Sequence, residues 1–124
     1  PETTTINILN KLPIIKGEKT KFQQLFLNLI SNAIKFGNKE NCIVDIDVIE
    51  KKLLYQFSVK DNGIGIDKKF HKKIFKIFHF LNKSDKSTGI GLSIVKKIIN
   101  LYEGDIWIDS ELGKGTIFYF TIKK

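Results

Sequence analysis

Residues 61–67 read Asp-Asn-Gly-Ile-Gly-Ile-Asp, and they follow closely on a β-rich run from Leu53 to Val59. Because Asp-Asn-Gly is a strong turn signal, this stretch predicts a strand that ends at Asp61. Gly63 and Gly65 would let the backbone approach a flat ligand, to which Asp61 would offer a fixed acceptor. A carboxylate pairs with the exocyclic amino group of adenine and repels the carbonyl of guanine. Taken alone, the pattern is also that of a simple turn.

Strands and helices alternate on both sides of this stretch, and two pairs of neighbouring strands have the spacing of hairpins. Apolar residues at three- and four-residue steps indicate the helices. We therefore predict an α+β fold, a two-layer α/β sandwich in which a mixed sheet of about five strands is covered on one face by about three helices. The predicted strands span Thr4–Ile15, Ile43–Ile49, Leu53–Val59, Asp105–Ser110 and Thr116–Ile122. The predicted helices span Glu18–Phe36, Asp67–Phe78 and Gly89–Gly104.

Composition narrows the class of protein but leaves its function open. The 124 residues are 42% hydrophobic, enough for the core of one domain spanning residues 1–124, and we assign the Phe-rich body and Trp107 to that core. The single cysteine, Cys42, excludes an internal disulfide bond and a cysteine zinc site. No apolar run approaches the length of a membrane span, so we expect no membrane contact by this part of the chain.

The formal net charge is +8, and all 21 residues counted as Lys or Arg are lysine. This charge raises the alternative of a basic nucleic-acid-binding module. Five lysines cluster on the helix predicted after Asp67. The aromatic residues among them are spaced as a buried helix face, which leaves no exposed aromatics interleaved with the lysines. We therefore interpret the lysines as a solvated surface and expect no nucleic-acid partner.

The helix predicted from Glu18 to Phe36 carries Asn28, Asn32 and Lys35 on one face. Asparagine is a poor helix former, so helix propensity does not explain the pair. Two amide oxygens beside an ammonium group suit a hydrated Mg²⁺ and its phosphate ligands. Local hydrogen bonding or exposure to solvent is the simpler explanation when the pair is considered alone.

Residues 87–95 read Ser-Thr-Gly-Ile-Gly-Leu-Ser-Ile-Val and lead into the last predicted helix. Small residues at a helix start leave unpaired N–H groups where an anion can bind. The stretch is not a P-loop, because no Gly-Lys-Ser/Thr follows. It is not a dinucleotide-binding fingerprint either, because no strand immediately precedes it. An ordinary glycine cap is the alternative.

With these motifs in this order, the chain resembles the ATP-binding catalytic domain of sensor histidine kinases. That domain belongs to the Bergerat-fold superfamily, which is shared with gyrase, MutL and the heat-shock chaperone ATPases. The resemblance covers almost the whole chain. Its motifs are an asparagine box at Asn28–Phe36, a first glycine box at Asp61–Asp67, a phenylalanine box at Ile74–Phe78, a second glycine box at Thr88–Lys96 and a final hairpin from Gly104 to Phe118.

The resemblance implies ATP and Mg²⁺ as ligands. It makes Asn32 the Mg²⁺ ligand, with Asn28 and Lys35 as catalytic residues that aid the phosphates. Asp61 would bind the adenine amino group above a pocket floor formed by Gly63 and Gly65, and Thr116 would add a contact through water. The other implied nucleotide-binding positions are Phe36, Ile66, Thr88, Gly89, Ile90, Gly91 and Leu92.

Two positions and one segment depart from the family pattern. Phe36 stands where the family often has tyrosine, so a hydroxyl contact would be missing. Ser87 replaces the usual first glycine of the second box and should stiffen the lid hinge. The lid, residues 79–88, is short for the family, and its only cations are Lys83 and Lys86. We expect one of these two lysines to meet the γ-phosphate, where relatives often use arginine.

The resemblance also implies the reaction. Hydrolysing relatives carry a glutamate where this chain has Asn28, and an amide is a poor general base. This favours in-line transfer of the γ-phosphoryl group over hydrolysis of ATP. Neither His71 nor His79 is followed by an acidic residue, so the acceptor histidine is expected on a separate dimerisation domain. Without that domain the fragment should not autophosphorylate.

The implied partners are therefore the dimerisation and phospho-acceptor domain of the same kinase and a downstream response regulator of a two-component system. We expect the fragment to be monomeric and cytoplasmic, with or without a membrane anchor elsewhere in the full-length protein. A serine-directed kinase and a non-catalytic nucleotide sensor remain as alternatives on the same fold.

Overall fold

The structure is a computed structural model that describes residues 3–15, 17–38, 40–68 and 86–124, without the side chains of residues 86–91 and 93. The described residues form five strands and two α-helices. In chain order they are β1 (Thr3–Ile8), α1 (Lys19–Lys35), β2 (Asn41–Glu50), β3 (Leu54–Asp61), α2 (Lys86–Leu101), β4 (Ile106–Ser110) and β5 (Thr116–Lys123).

The five strands form one mixed sheet in the order β1-β2-β3-β5-β4. The pair β1–β2 is parallel, and the other three pairs are antiparallel. The mixed five-stranded sheet and its two hairpins, β2–β3 and β4–β5, are confirmed. In this register Asp61, the last residue of β3, lies between Val44 of β2 and Thr116 of β5. The turn that follows Asp61 therefore leaves the middle of the sheet.

Both helices pack on one face of the sheet, because each carries apolar residues at the spacing of one helix face. Alternate residues of the strands meet them, as where the ring of Phe26 in α1 meets the rings of Phe57 and Phe120 edge-on, with centroids 5.6 and 5.5 Å apart. The residues buried in this core are Leu25, Leu29, Ala33, Cys42, Val44, Ile46, Phe57, Val59, Leu92, Val95, Ile98, Ile99, Ile106, Phe118, Phe120 and Ile122.

One residue assigned to the core lies elsewhere. Trp107 is 39% exposed and stacks on Tyr119 with ring centroids 5.4 Å apart. Because side chains alternate along a strand, the burial of Ile106 and Phe120 directs Trp107 and Tyr119 to the opposite face of the sheet. The assignment of Trp107 to the core was therefore wrong.

The helices also differ from prediction in number and in one boundary. The described residues hold two α-helices rather than about three, since the helix predicted from Asp67 to Phe78 lies beyond Lys68 outside the described residues. Helix α2 begins at Lys86, three residues before the predicted start at Gly89. A glycine inside a helix costs only about 1 kcal/mol relative to alanine, which the packing of α2 offsets. Neither described helix has the length and apolar character needed to cross a membrane.

Candidate functional site

Helix α1 brings two amide side chains to one of its faces. Asn32 is 8% exposed, and Asn28 lies one turn before it, half-buried. The Nδ2 atoms of both residues are buried, and neither has a hydrogen-bond partner among the residues that the structure describes. A buried amide without a partner costs about 1–3 kcal/mol, so a ligand with acceptor atoms at this face would offset that cost. Lys35 follows in the last turn, with its Nζ atom 6.0 Å from the ring centroid of Phe36.

The end of α1 lies against the turn that follows β3. The carbonyl oxygen of Phe36, the residue that caps α1, accepts a hydrogen bond of 3.2 Å from the backbone N–H of Ile64. A Cβ atom on Gly63 would overlap this carbonyl oxygen. Only glycine at residue 63 therefore lets the turn approach the end of the helix so closely.

The other side of the same turn lies against the connection between β4 and β5. Gly65 has φ +77°, and a Cβ atom there would overlap the carbonyl oxygen of Glu111. The backbone N–H of Gly113 donates a hydrogen bond of 2.7 Å to the carbonyl oxygen of Ile64. Residues 61–67 are therefore held between the end of α1 and this connection, which we call the β4–β5 loop (residues 111–115).

Asp61 lies at the centre of this arrangement and is 5% exposed. Its Oδ1 atom accepts a hydrogen bond of 2.8 Å from the N–H of Gly63, and its carboxylate also accepts one from the backbone N–H of Thr116. Burial raises the pKa of the Asp61 carboxyl, and the two N–H donors act against that rise. The two backbone donors orient the carboxylate, which leaves it a fixed acceptor for a ligand.

Two residues near Asp61 were not among the predicted site residues. The first is Asn62, whose side chain donates a hydrogen bond of 2.8 Å to the carbonyl oxygen of Asn41 and accepts one of 2.9 Å from the N–H of Ile43. Asn62 thereby continues the pairing of β3 with β2 past the end of the ladder. The Asp-Asn-Gly pattern indicated a turn, but it carried no signal for these partners.

The second is Ser110, the last residue of β4, which is 4% exposed. Its Oγ atom accepts a hydrogen bond of 2.7 Å from the backbone N–H of Ile66. It lies 2.9 Å from the carbonyl oxygen of Gly115 and 2.8 Å from Oγ1 of Thr116. Ser110 thus joins the first glycine box to the β4–β5 loop and to β5. A serine at a strand end is too common to have indicated this role.

The structure brings part of the predicted site together. The turn and its neighbours unite Phe36, Asp61, Gly63, Gly65, Ile66 and Thr116, while Asn28, Asn32 and Lys35 share one helix. The first two turns of α2 hold Lys86, Thr88, Gly89, Ile90 and Gly91, whose side chains are not described. Leu92 is 4% exposed and packs in the core. Lys83, His71, His79, the phenylalanine box and the lysine cluster beyond Lys68 lie outside the described residues.

The described residues contain no group of three or more His, Cys, Asp or Glu side chains that could hold a metal ion. A protein cage for a cation is therefore absent from this part of the chain. Mg²⁺ is commonly bound by one or two protein oxygens together with phosphate oxygens and water. The buried amide of Asn32 suits that arrangement, because its oxygen and nitrogen are exchanged by a simple flip of the side chain.

Residues 17–124 match the protein family described as histidine kinase-, DNA gyrase B-, and HSP90-like ATPase. Cyanobacterial phytochrome A from Nostoc sp. strain PCC 7120 is 48% identical over 113 residues, which are 90% of this chain and 15% of that protein. The sensor histidine kinase WalK from Bacillus subtilis strain 168 is 41% identical over 113 residues, 87% of this chain and 18% of that protein. The chain therefore spans less than a fifth of the length of these relatives.

Solved structures show the same fold. Full-length ShkA in complex with AMPPNP matches with a TM-score of 0.80 and 28% identity, over 96% of this chain and 25% of that one. Histidine kinase ThkA in complex with response regulator protein TrrA matches with a TM-score of 0.76 and 26% identity, over 98% of this chain and 34% of that one.

Proposed function

The chain belongs to the family of histidine kinase-, DNA gyrase B- and HSP90-like ATPases, as an ATP-binding catalytic domain of the histidine-kinase type, and on that premise we propose that it binds Mg²⁺-ATP and transfers the γ-phosphoryl group to a histidine. The acceptor histidine is carried by a dimerisation and phospho-acceptor domain, from which a response regulator receives the phosphoryl group. The observation that carries the proposal is the pair of buried amide nitrogens of Asn28 and Asn32, for which no described residue is a partner.

The adenine end of the site is formed by Asp61 and the first glycine box. The Asp61 carboxylate is oriented by two backbone N–H groups, so it accepts a hydrogen bond from a ligand without rearrangement. The exocyclic amino group of adenine is such a donor. Gly63 and Gly65 let the turn pack closely against Phe36 and Glu111, and we assign the backbone of this turn to the floor of the adenine pocket. AMPPNP in the ShkA structure supports a nucleotide in this fold.

The phosphate end is formed by α1. The unpartnered amides of Asn28 and Asn32 donate to phosphate oxygens or, after a flip, accept from the cation's water shell or ligate the cation. Lys35 in the last turn adds a positive charge on the same face. Mg²⁺, when bound, neutralises charge on the phosphate oxygens during transfer. Asn32 is the residue that we assign to Mg²⁺, and Asn28 and Lys35 act on the phosphates.

The start of α2 completes the proposed site. Helix α2 begins at Lys86, so the backbone N–H groups available to an anion are those of its first turn, up to Thr88, and Gly89 to Gly91 follow in the second turn. We assign the γ-phosphate to Lys83 or Lys86, which precede these residues in the chain. Since ATP is made and kept inside cells, the proposed reaction takes place in the cytoplasm.

The reaction is transfer rather than hydrolysis because Asn28 offers no base. An amide does not take a proton from water at neutral pH, so no described group on this face of α1 activates water for attack. These residues position the phosphates of ATP and compensate their negative charge. The nucleophile is then the imidazole of the acceptor domain, which needs no protein base when its attacking nitrogen is unprotonated.

The test is to incubate residues 1–124 with the dimerisation and acceptor domain of the full-length protein, Mg²⁺ and γ-labelled ATP. We expect label on a histidine of that domain, recognised by its stability in alkali and its loss in acid. Label that survives acid would show a serine-directed kinase. Tight ATP binding without any label would show a nucleotide sensor, and either result would overturn the assignment of a histidine acceptor.

Matched variants on α1 connect the reaction to the site. Asn28→Ala and Asn32→Ala should each lower the rate of transfer by about a hundredfold, since each removes a polar group directed at the phosphates or at Mg²⁺. Ser31→Ala is the control, because Ser31 is exposed on the same helix. An equal loss in all three variants would mean that the helix and not the site is affected. Salt-sensitive DNA binding at saturating ATP would revive the nucleic-acid alternative.

A further inference from the structure

We propose that Ser110 is a positioning residue that fixes the direction of the Thr116 hydroxyl proton, so that Thr116 faces a purine base only as a hydrogen-bond acceptor. The inference rests on the proposed function, in which Asp61 binds the amino group at the six-position of the base, and on the contact through water that the family resemblance implies for Thr116. It concerns which bases the site accepts, and it makes Ser110 a determinant of specificity that lies behind the residues in contact with the nucleotide.

The argument begins with the three polar neighbours of the Ser110 hydroxyl. This group has one proton to donate and two lone pairs that accept. The backbone N–H of Ile66, 2.7 Å away, can only donate, so it takes one lone pair. The carbonyl oxygen of Gly115, 2.9 Å away, can only accept, so it takes the one proton. The first assignment follows from the chemistry of the N–H group, and the second belongs to the one arrangement in which the contacts with Gly115 and with Thr116 are both hydrogen bonds.

The remaining contact is then determined. Ser110 Oγ and Thr116 Oγ1 are 2.8 Å apart, a distance at which either hydroxyl could donate. Since the Ser110 proton is directed to Gly115, the bond must run from Thr116 to Ser110 and occupy the second lone pair of Ser110. Thr116 is 5% exposed, so its hydroxyl has little freedom to exchange this bond for one with water.

This direction decides what Thr116 offers to a ligand. Its only hydroxyl proton is bound to Ser110, and its backbone N–H donates to the Asp61 carboxylate. What remains on Oγ1 is lone-pair density, in register with Asp61 on the neighbouring strand. A purine with an amino group at the six-position can donate to two adjacent acceptors, directly or through one water. A purine with a carbonyl there meets two acceptors and no donor.

Removal of the Ser110 hydroxyl should therefore change specificity and not only stability. Without Ser110 Oγ the Thr116 proton is released, and the Thr116 hydroxyl can turn and donate to a six-carbonyl. The ligand class that the intact chain selects is the 6-aminopurine nucleotides. Ser110 and the Asp61 carboxylate act on the same edge of the base, one through Thr116 and the other directly.

The experiment compares the dissociation constants of Mg²⁺-ATP and Mg²⁺-ITP, measured by titration calorimetry on residues 1–124. Inosine triphosphate lacks the 2-amino group of GTP, so its base differs from that of ATP only in the carbonyl at the six-position and in the proton on N1. We expect Ser110→Ala to lower the preference for ATP over ITP by about five- to tenfold. An equal loss of affinity for both nucleotides, or an unchanged ratio, would overturn the proposal.

Thr116→Val provides a second test in the same comparison of Mg²⁺-ATP and Mg²⁺-ITP, because valine keeps the shape of threonine without its hydroxyl. Thr116→Val should lower the preference by itself, and Ser110→Ala added to it should change the ratio no further, because Ser110 acts through Thr116. An additional change in the double variant would contradict the proposal. Ser110→Thr keeps the hydroxyl and should keep the preference, which provides a test if Ser110→Ala does not fold.

The outcomes separate this inference from the function on which it rests. If the wild-type chain binds neither nucleotide, the proposed function fails and this inference fails with it. If the wild type prefers ATP and Ser110→Ala retains that preference in full, nucleotide binding stands and only the role of Ser110 is overturned.

Discussion

Gly63 lies directly against the carbonyl oxygen of Phe36, so that a Cβ atom at residue 63 would overlap this oxygen. The backbone N–H of Ile64 donates to the same oxygen across 3.2 Å. These two contacts hold the turn after β3 against the end of α1, and with it Asp61 against the helix that carries the asparagine pair. The relative position of the two ends of the proposed nucleotide site therefore depends on one glycine.

Gly63→Ala should separate these two segments. The added methyl group meets the backbone of Phe36 and Gly37, so the chain must move, and overpacking of this kind costs about 1–3 kcal/mol of the free energy of unfolding. Affinity for Mg²⁺-ATP should fall at the same time, because Asp61 moves away from α1. Urea denaturation and titration calorimetry measure the two effects.

Gly113→Asn is the matched control for this change. Gly113 has φ +83°, which asparagine tolerates, and a Cβ atom there meets nothing within 4 Å. Gly113→Asn should leave the free energy of unfolding and the affinity for Mg²⁺-ATP close to those of the wild type. If Gly113→Asn and Gly63→Ala lose equal stability, close approach to Phe36 is not the reason for glycine at residue 63.

Asn32→Leu should make the nucleotide-free protein more stable and unable to bind Mg²⁺-ATP. Leucine has nearly the shape of asparagine, and it removes a buried amide nitrogen that has no partner in the described part of the chain. We expect the free energy of unfolding to rise by about 1 kcal/mol without nucleotide. The increase in melting temperature that Mg²⁺-ATP gives the wild type should disappear. A less stable nucleotide-free variant would show that Asn32 serves the fold.

The free energy of unfolding should depend on pH through Asp61, in a direction that follows from the raised pKa of its carboxyl. Burial places the folded pKa of its carboxyl above the ordinary value of 3.8, so the folded protein holds this proton more tightly than the unfolded chain does. The stability that this proton contributes is present below pH 3.8 and is lost as the pH rises through the folded pKa. Relative to Asp61→Asn, the wild type should therefore lose free energy of unfolding over this window and differ by a constant amount above it.

Urea denaturation of both proteins between about pH 3 and pH 8 measures this difference. Affinity for Mg²⁺-ATP should change in the opposite direction and rise over the same window, because the ionised carboxylate is the better acceptor. Titration of Asp61→Asn corrects for protonation of the nucleotide itself. A difference in stability that grows in favour of the wild type as the pH rises would contradict the direction of the shift.

Asn62→Ala should weaken nucleotide binding without a direct contact to the nucleotide. It removes two hydrogen bonds to β2, at 2.8 and 2.9 Å, that anchor the residue between Asp61 and Gly63. We expect a loss of about 1–2 kcal/mol in the free energy of unfolding and a severalfold loss of affinity. Asn10→Ala is the control, since exposed Asn10 donates to Asp47 at 2.6 Å far from the first glycine box in sequence. Equal effects of both changes on affinity would remove the special role of Asn62.

Local patterns were enough to predict most of the described elements, although β1 ends at Ile8 and not at Ile15 as predicted. The three- and four-residue spacing of α1 and the alternation in β2 are properties of short segments, so the helix and both hairpins could be found from the residues alone. The order of the strands could not. That β5 lies between β3 and β4, and that β1 runs parallel to β2, depends on which apolar faces come together under the helices. For the same reason Trp107 could not be placed, because the choice of face depends on its neighbours across the sheet.

The candidate site also has one part that the sequence determined and another part that only the tertiary structure determined. The sequence by itself determined which residue types make up the proposed site, since Asp61, Gly63 and Gly65 stand within one turn and Asn28 and Asn32 stand one helical turn apart. Only the tertiary structure decided how they are held. Ser110 meets Ile66 across 44 residues, and Asn62 meets Asn41 and Ile43 across 21 and 19. A hydroxyl or amide becomes a positioning group only when folding supplies its partners, and no local pattern records which partners those are.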